Sequence, residues 1–263
     1  MSSSTGGAPS VLTVAMDGGV ATVTIDRPPA NAVDPAMIQE FLDVLPGPIS
    51  DPSVRCIVIT GTGRFFIAGA DIAVMRDLSL ANHVQMRRWI EVQRLLEQAP
   101  KPVVAAINGH ALGGGAELSL ACDLRMAAES ATIGFPEIAL GLFPGAGGSQ
   151  RLPRLLGVHK ARLLMMEGRR LSAAEALDLG LVDDVVPDLQ FADAVANRAR
   201  SLAARPTRTI GLLKQAVEAG GHLDIDAAMD VEWAAVQQVI ETEDAAEGLQ
   251  AFLEKRTPAF HGK

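Results

Sequence analysis

The sequence predicts an α/β chain: a β/α core followed by a helical extension. Three observations carry this. Short apolar runs alternate with helix-spaced stretches up to residue 187, and from 188 onward the spacing is helical only. Hydrophobic residues make up 48% and charged residues 21% of 263 residues, enough to bury a core without disulfide or metal. The expected layout is a disordered tail over 1–10, a core over 11–187 and a helical region over 188–263.

Residues 11–16 and 20–25 are β-prone runs joined by Asp17-Gly18-Gly19, a hairpin turn sequence. Asp34-Pro35 offers an N-cap and a first-turn proline, Met37, Ile38, Phe41, Leu42 and Leu45 follow at helical spacing, and Pro46-Gly47-Pro48 is expected to end the helix. Residues 54–60 (VRCIVIT) and 103–107 are near-continuous apolar runs, the mark of strands covered on both faces. Between them lie a Gly-rich loop, GTGRFFIAGAD, and one long helix expected over 83–99 and stopped by Pro100 and Pro102. NGHALGGGAE turns into a helix near Gly114, residues 124–128 and 131–134 read as short strands, and GLFPGAGGSQ opens another helix. Ser172 and Glu175 form a capping box on a helix that Gly180 closes. Helices are expected over 189–204, 206–219, 224–241 and 244–255.

Composition excludes several classes. A net charge of −8 and the absence of Tyr argue against a nucleic-acid binder, which needs a basic field and stacking surfaces. Cys56 and Cys122 sit in apolar runs and read as buried free thiols, suited to a reducing compartment. The charge-free stretch 102–116 is too short and too polar to span a membrane. No basic residue precedes Arg27, so neither an export signal nor a transit peptide is expected, and the cytoplasm is the expected location. There is no GxxxxGK[ST] loop, no HExxH, no strand-linked GxGxxG, and no pair of histidines at metal-ligand spacing. GGSQR lacks the second glycine of a nucleophile elbow, which demotes Ser149.

Three segments remain: FFIAGAD (65–71), NGHALGGGAEL (108–118) and FPEIALGLFPGAGGSQRL (135–152). Gly114 begins a helix, where N–H groups lack intrahelical partners and a glycine lets a ligand approach. Ala70, in a small-residue loop after a buried strand, offers a second N–H. Such a pair would polarise a carbonyl and hold the enolate it becomes. Glu117, three residues after Gly114, shares its helix face. Both Glu117 and Glu137 lie in charge-free surroundings, which suggests paired acid/base work with raised pKa values.

In identity, order and spacing these segments resemble the enoyl-CoA hydratase (crotonase) family, and the likeness extends from IDRPPANA (25–32) to FLEKRTPAF (252–260). The resemblance implies a crotonase-like ββα spiral core with a C-terminal helical extension that packs on neighbours, as a homotrimer or dimer of trimers. It places the oxyanion hole on Ala70 and Gly114, two catalytic glutamates on Glu117 and Glu137, and a water-site glycine on Gly145. It further places coenzyme A contacts on Arg27, Ala68 and Lys255, with Phe252 near the acyl chain. The implied reaction is syn hydration of a trans-2-enoyl-CoA. The substrate is an acyl-CoA thioester, and no metal, flavin or nicotinamide is required. Glu117 would deprotonate the water and Glu137 protonate C2, although a coupled pair leaves the assignment of acid and base open.

The alternatives are a Δ3,Δ2-enoyl-CoA isomerase, another CoA-ester lyase, or a non-catalytic scaffold on the same fold. The two glutamates favour the hydratase. Many family members carry charges shortly after AGAD, where this chain has Ala73 and Val74. That makes the pocket wall more apolar and places acyl selection in 72–84. Asp71 reads as a helix cap or loop brace and His110 as structural. The last 13 residues hold three basic residues and one acidic, a local positive field that the whole-chain charge hides.

Overall fold

The computed structural model describes residues 10–263. The tail expected over 1–10 lies, but for Ser10, outside them. Strands β1 (Leu12–Asp17) and β2 (Val20–Ile25) form the expected antiparallel hairpin. Gly18 and Gly19 both take positive φ, 53° and 80°, which the tight turn requires and a side chain would oppose. Helix α1 (Pro35–Val44) starts where Asp34 accepts the Met37 N–H, and buries Met37, Ile38 and Phe41. Pro46 does not end the helical path. It opens a short α2 (Pro46–Ser50), because a proline at the first helical position gives up no hydrogen bond.

Strand β3 (Cys56–Gly61) runs into β4 (Phe65–Ile67), α3 (Ile72–Met75), α4 (Leu80–Arg87) and α5 (Trp89–Glu97). The single helix expected over 83–99 is thus two helices joined at Arg88. Their burial differs: α4 buries no side chain, while α5 turns Trp89, Val92, Gln93 and Leu96 inward. Then come β5 (Val103–Ile107), β6 (His110–Leu112), α6 (Gly114–Leu120), β7 (Leu124–Ala128) and β8 (Thr132–Gly134). A 3₁₀ turn (Pro136–Leu140) leads to α7 (Gly148–Leu156) and α8 (Val158–Glu167), followed by β9 (Arg170–Ser172), α9 (Ala173–Leu179) and β10 (Asp184–Val186). The chain ends with α10 (Phe191–Ala203), α11 (Thr207–Gly220), α12 (Ile225–Val239) and α13 (Glu243–Glu254).

Six strands form one sheet in the order β1-β2-β3-β5-β7-β10, and four form a second in the order β4-β6-β8-β9. All pairings are parallel except β1–β2 and β8–β9. The chain therefore visits the sheets alternately, β3 then β4, β5 then β6, β7 then β8. Each turn of this spiral leaves the second sheet at the same end. Strands β4, β6 and β9 fall inside stretches that read as loops or as a helix start, because three residues are too few to show an alternating pattern.

The core lies against the larger sheet. Phe41, Ile57, Ile59, Leu96, Val104, Ile107 and Leu118 are fully buried in it. The helical region beyond 188 is not uniform. Its first helix, α10, lays Phe191, Val195, Ala199 and Ala203 on the sheet, whereas α12 buries nothing within the chain. Arg55, just before β3, ties the far end of the chain to the core. It donates to the carbonyls of Phe260 (2.7 Å) and Arg205 (2.6 Å) and to Thr207 Oγ1 (3.0 Å). Asp244 accepts the N–H groups of His261 and Gly262 at 2.6 and 2.7 Å.

Lys101 is 4% exposed, and its ammonium donates to the carbonyls of Pro48, Asp51 and Val54 at 2.8–3.0 Å. Replacing it by an apolar chain strands those oxygens. Lys101→Met is expected to cost about 2–4 kcal/mol in unfolding free energy, measured by urea denaturation. A loss below half a kcal/mol would show that water takes over from the ammonium.

Candidate active site

The parallel order β4-β6-β8 sets the ends of three strands side by side. Ile67 is level with Ala111, and Leu112 with Gly134. The segments that follow, 68–71, 113–117 and 135–137, must therefore converge. Gly113 donates its N–H to the Gly134 carbonyl at 2.9 Å. A Cβ on Gly69 would lie 3.3 Å from the Leu112 carbonyl oxygen, and one on Gly113 would lie 3.7 Å from Gly69 Cα. The spiral thus brings together Ala70, Gly114, Glu117 and Glu137, the residues that the sequence singled out.

The loop carrying Ala70 is pinned on both sides. Val33 N–H donates to the Gly69 carbonyl and Asp71 N–H to the Val33 carbonyl, each at 2.8 Å, which brackets Ala70. Asp71 caps α3 through Ala73 N–H and pairs with Arg27 at 3.1 Å. Hydrogen bonds to Arg27 hold its carboxyl below the usual range against the opposing effect of burial. Among the described residues neither Ala70 N–H nor Gly114 N–H donates to any group. Two such donors, from adjacent turns of the spiral, can hold an oxygen that becomes anionic.

Glu117 is 3% exposed. Its Oε1 accepts the N–H groups of Ala146 and Gly148, both at 2.9 Å, at the start of α7, while Oε2 takes no hydrogen bond from the described residues. Burial raises this carboxyl above the usual range, and the two N–H groups and nearby Arg151 oppose the rise. Arg151 is in turn locked by Glu97 through two bonds of 2.5 and 2.8 Å and by Gln93 Oε1 at 2.6 Å.

Glu137 is the contrary case. It opens the 3₁₀ turn after β8, and its Oε2 is buried without a partner. Burial lifts its carboxyl to about 7; its own N–H offsets part of the rise and the neighbouring Glu117 charge adds to it. A Cβ on Gly113 would come within 2.9 Å of Glu137 Oε1, and one on Gly148 within 2.9 Å of Glu117 Oε1. Glycine at these positions is what lets each carboxyl reach its seat. The pair offers one carboxyl seated on two N–H groups and one, raised to about 7, able to carry a proton at neutral pH, next to two free N–H donors.

The description "Enoyl-CoA hydratase/isomerase" belongs to the family model that matches residues 15–263. The chain belongs to the enoyl-CoA hydratase/isomerase family. It is 40% identical over 258 residues to a probable enoyl-CoA hydratase of Bacillus subtilis, covering 96% of this chain and 99% of that one. It is 41% identical over 247 residues to the crotonyl-CoA hydratase of Syntrophomonas wolfei, covering 93% and 95%. The solved enoyl-CoA hydratase of Bacillus anthracis superposes with a TM-score of 0.92 at 39% identity, over 97% of this chain and all of that one. The crotonase-like spiral is the fold of this family member.

The other residues marked in the sequence lie as follows. Gly145 is exposed beside the Glu117 cradle, but the donors that touch Glu117 are its neighbours Ala146 and Gly148. Ala68 is half-buried, with its N–H on the Ala30 carbonyl. The Arg27 guanidinium is engaged within the chain, by Asp34 at 2.6 Å and Asp71 at 3.1 Å. Lys255, at the αL end of α13, and Phe252 both project into solvent, and no hydrogen bond or ion pair links them to the glutamates among the described residues. Arg256 is held by Glu247 and Glu254, whereas Lys255 pairs with no carboxylate among the described residues. His110 bonds Thr132 Oγ1 at 2.7 Å. Cys56 and Cys122 are buried free thiols, each raised to about 12 by burial. No group of His, Cys, Asp and Glu among the described residues could hold a metal ion, and no helix is long and apolar enough to cross a membrane.

Sequence reasoning missed Ala146, Gly148, Arg151, Gln93 and Trp89. GAGGSQR carried a usable signal for the first two: glycines opening a helix expose N–H groups that can seat a carboxylate.

Because Glu137 is raised from 4.5 to about 7, the folded chain binds more protons than the unfolded chain between those values. Stability therefore falls as pH rises through that window. Glu137→Gln is expected to raise unfolding free energy at pH 8 by about 1–3 kcal/mol, discounted for its partial exposure, and to change little at pH 4. Denaturation curves at the two pH values check this, and equal effects at both would contradict it.

Proposed function

We propose that the protein is an enoyl-CoA hydratase, adding water syn across a trans-2-enoyl-CoA to give a 3-hydroxyacyl-CoA. The observation that carries this is the unequal pair of buried carboxyls, Glu117 cradled by two N–H groups and Glu137 without a partner, beside the two free N–H groups of Ala70 and Gly114. Relatives named as hydratases, at about 40% identity over nearly the whole chain, support the same reading.

In this mechanism the thioester carbonyl oxygen sits between the N–H groups of Ala70 and Gly114, which makes C3 electrophilic. A water near Gly145 and Glu117 loses a proton to Glu117 Oε2 as its oxygen bonds to C3. The C2–C3 π electrons move toward the carbonyl, and the negative charge on oxygen is held by the two N–H donors. Glu137 then delivers its proton to C2. The N–H groups of the cradle oppose the rise that burial imposes on Glu117, and the unpartnered Glu137 favours its protonated form, which supports Glu117 as base and Glu137 as acid. Every step uses protein groups and water, and no cofactor is required.

Lys255, which pairs with no carboxylate among the described residues, would meet a coenzyme A phosphate, and Ala68 the adenine through its backbone. Arg27 serves this site by bracing the Ala70 loop. A homotrimer or dimer of trimers would cover the apolar side chains that α11–α13 leave exposed, among them Val217, Met229, Trp233, Ile240 and Phe252. Two buried thiols suit the cytoplasm.

Glu117→Gln and Glu137→Gln are each expected to lower kcat by roughly 10²–10⁴ with little change in CoA-ester binding. Loss of the conjugated thioester absorbance, with 3-hydroxyacyl-CoA as product, is the readout. Double-bond migration without water uptake would identify an isomerase instead, and normal turnover in either variant would remove the assigned roles. Lys255→Ala is expected to raise KM for CoA esters more than it lowers kcat, and an unchanged KM would leave Lys255 a solvated helix end.

A further inference from the structure

Gly114 sits in the middle of three consecutive glycines, Gly113 to Gly115. Such a run has more backbone freedom than any other three residues could give, yet the Gly114 N–H must point in one direction if it is to bind an oxyanion. Gly113 precedes α6 with φ 51° and ψ −119° and supplies no side-chain cap. From the carbonyl side, Glu117 N–H holds the Gly113 carbonyl at 2.9 Å. From outside the helix, one side chain alone among the described residues bonds to the three glycines: the Trp89 indole N–H donates to the Gly114 carbonyl at 3.0 Å.

Trp89 is built to hold that position. It is 2% exposed at the start of α5, and its ring meets Phe41 edge to face, centroids 5.3 Å apart at 72°. Phe41 is itself fully buried on α1. A Cβ on Gly114 would lie 3.4 Å from Trp89 Nε1 and 3.9 Å from Val33 Cγ2, so the indole and Val33 close on Gly114 from the core side. Val33 is also the residue that brackets Ala70. Within α5, Gln93 and Glu97 follow Trp89 at four-residue spacing and hold Arg151 on the helix whose first N–H groups seat Glu117. One helix face therefore fixes Gly114 at one end and the Glu117 cradle at the other.

We propose that Trp89 is a positioning residue: by holding the Gly114 carbonyl, its indole N–H fixes the next peptide plane, limits rotation about the Gly114 Cα, and so sets the direction of the Gly114 N–H as an oxyanion donor. This rests on the hydratase reading. Trp89→Phe keeps a ring against Phe41 and removes the donor together with part of the buried ring system, a loss of bulk that the benzothienylalanine variant below does not share. Its kcat is expected to fall about tenfold while KM stays within about threefold. The distinguishing readout is a bound cinnamoyl-CoA, whose absorbance moves to longer wavelength as its carbonyl is polarised. Trp89→Phe should give a smaller shift than the parent protein. Phe41→Leu, which loosens the packing and spares the N–H, should lower Tm and leave the shift intact. If Trp89→Phe does not fold, Trp89→benzothienylalanine, an isostere without the N–H, reads the same quantity. A full shift and full kcat in the variant lacking the N–H overturn the inference and leave the hydratase reading standing. A parent protein that neither shifts the probe nor hydrates an enoyl-CoA overturns both.

Discussion

A carboxylate placed inside an apolar core is the constraint to which the rest of the site answers. Glu117 sits almost wholly out of water, where an unpaired charge would cost several kcal/mol and would simply be protonated. The chain supplies two backbone N–H groups from the start of α7 and a cation one turn further on. That cation needs its own partners, Glu97 and Gln93, on α5. Three helices, α5, α6 and α7, are thereby drawn around one oxygen atom. The second carboxyl receives none of this support, and burial lifts it to about 7.

The same packing explains where glycine is indispensable. An oxygen of each carboxyl lies 2.9 Å from where a Cβ would stand, Glu137 against Gly113 and Glu117 against Gly148. An alanine at either place would displace an acid, not merely strain a turn. The close approach is possible because parallel strands of the second sheet hold neighbouring segments at sheet spacing. Residues about 20 to 45 apart in sequence arrive together without any long loop to position them. The chemistry therefore inherits the rigidity of the sheet.

The fold and the glutamate pair were legible because they leave local marks. Apolar runs in VRCIVIT and VVAAI announce buried strands, and a lone Glu in GGGAELSL stands out against a charge-free background. Strands β4, β6 and β9 were not legible, since three residues carry no period and only the sheet makes them strands. The break at Arg88 was hidden because burial, which separates α4 from α5, is a property of the packed chain. The resemblance implied a coenzyme A contact at Arg27, whose ion-pair partners could not be read from the sequence. Asp34 and Asp71 claim it, and Asp71 is 44 residues away, beyond the reach of any local pattern. The supports of the site, Trp89 and Arg151 above all, were unreadable for the same reason.

The clamp made by Arg55 has a consequence for how the chain is made. Its guanidinium joins the start of β3 to the carbonyls of Arg205 and Phe260, and the last such contact spans 205 residues. Closing so long a loop comes late in folding, since its entropy cost is repaid only after the intervening structure exists. During synthesis the spiral can collapse while Phe260 is still inside the ribosome. The contacts of Asp244 with His261 and Gly262 and the last bond of Arg55 can form only once those residues have left the ribosome. The core can thus assemble as the chain emerges, and the Arg55 and Asp244 contacts close on a core already formed.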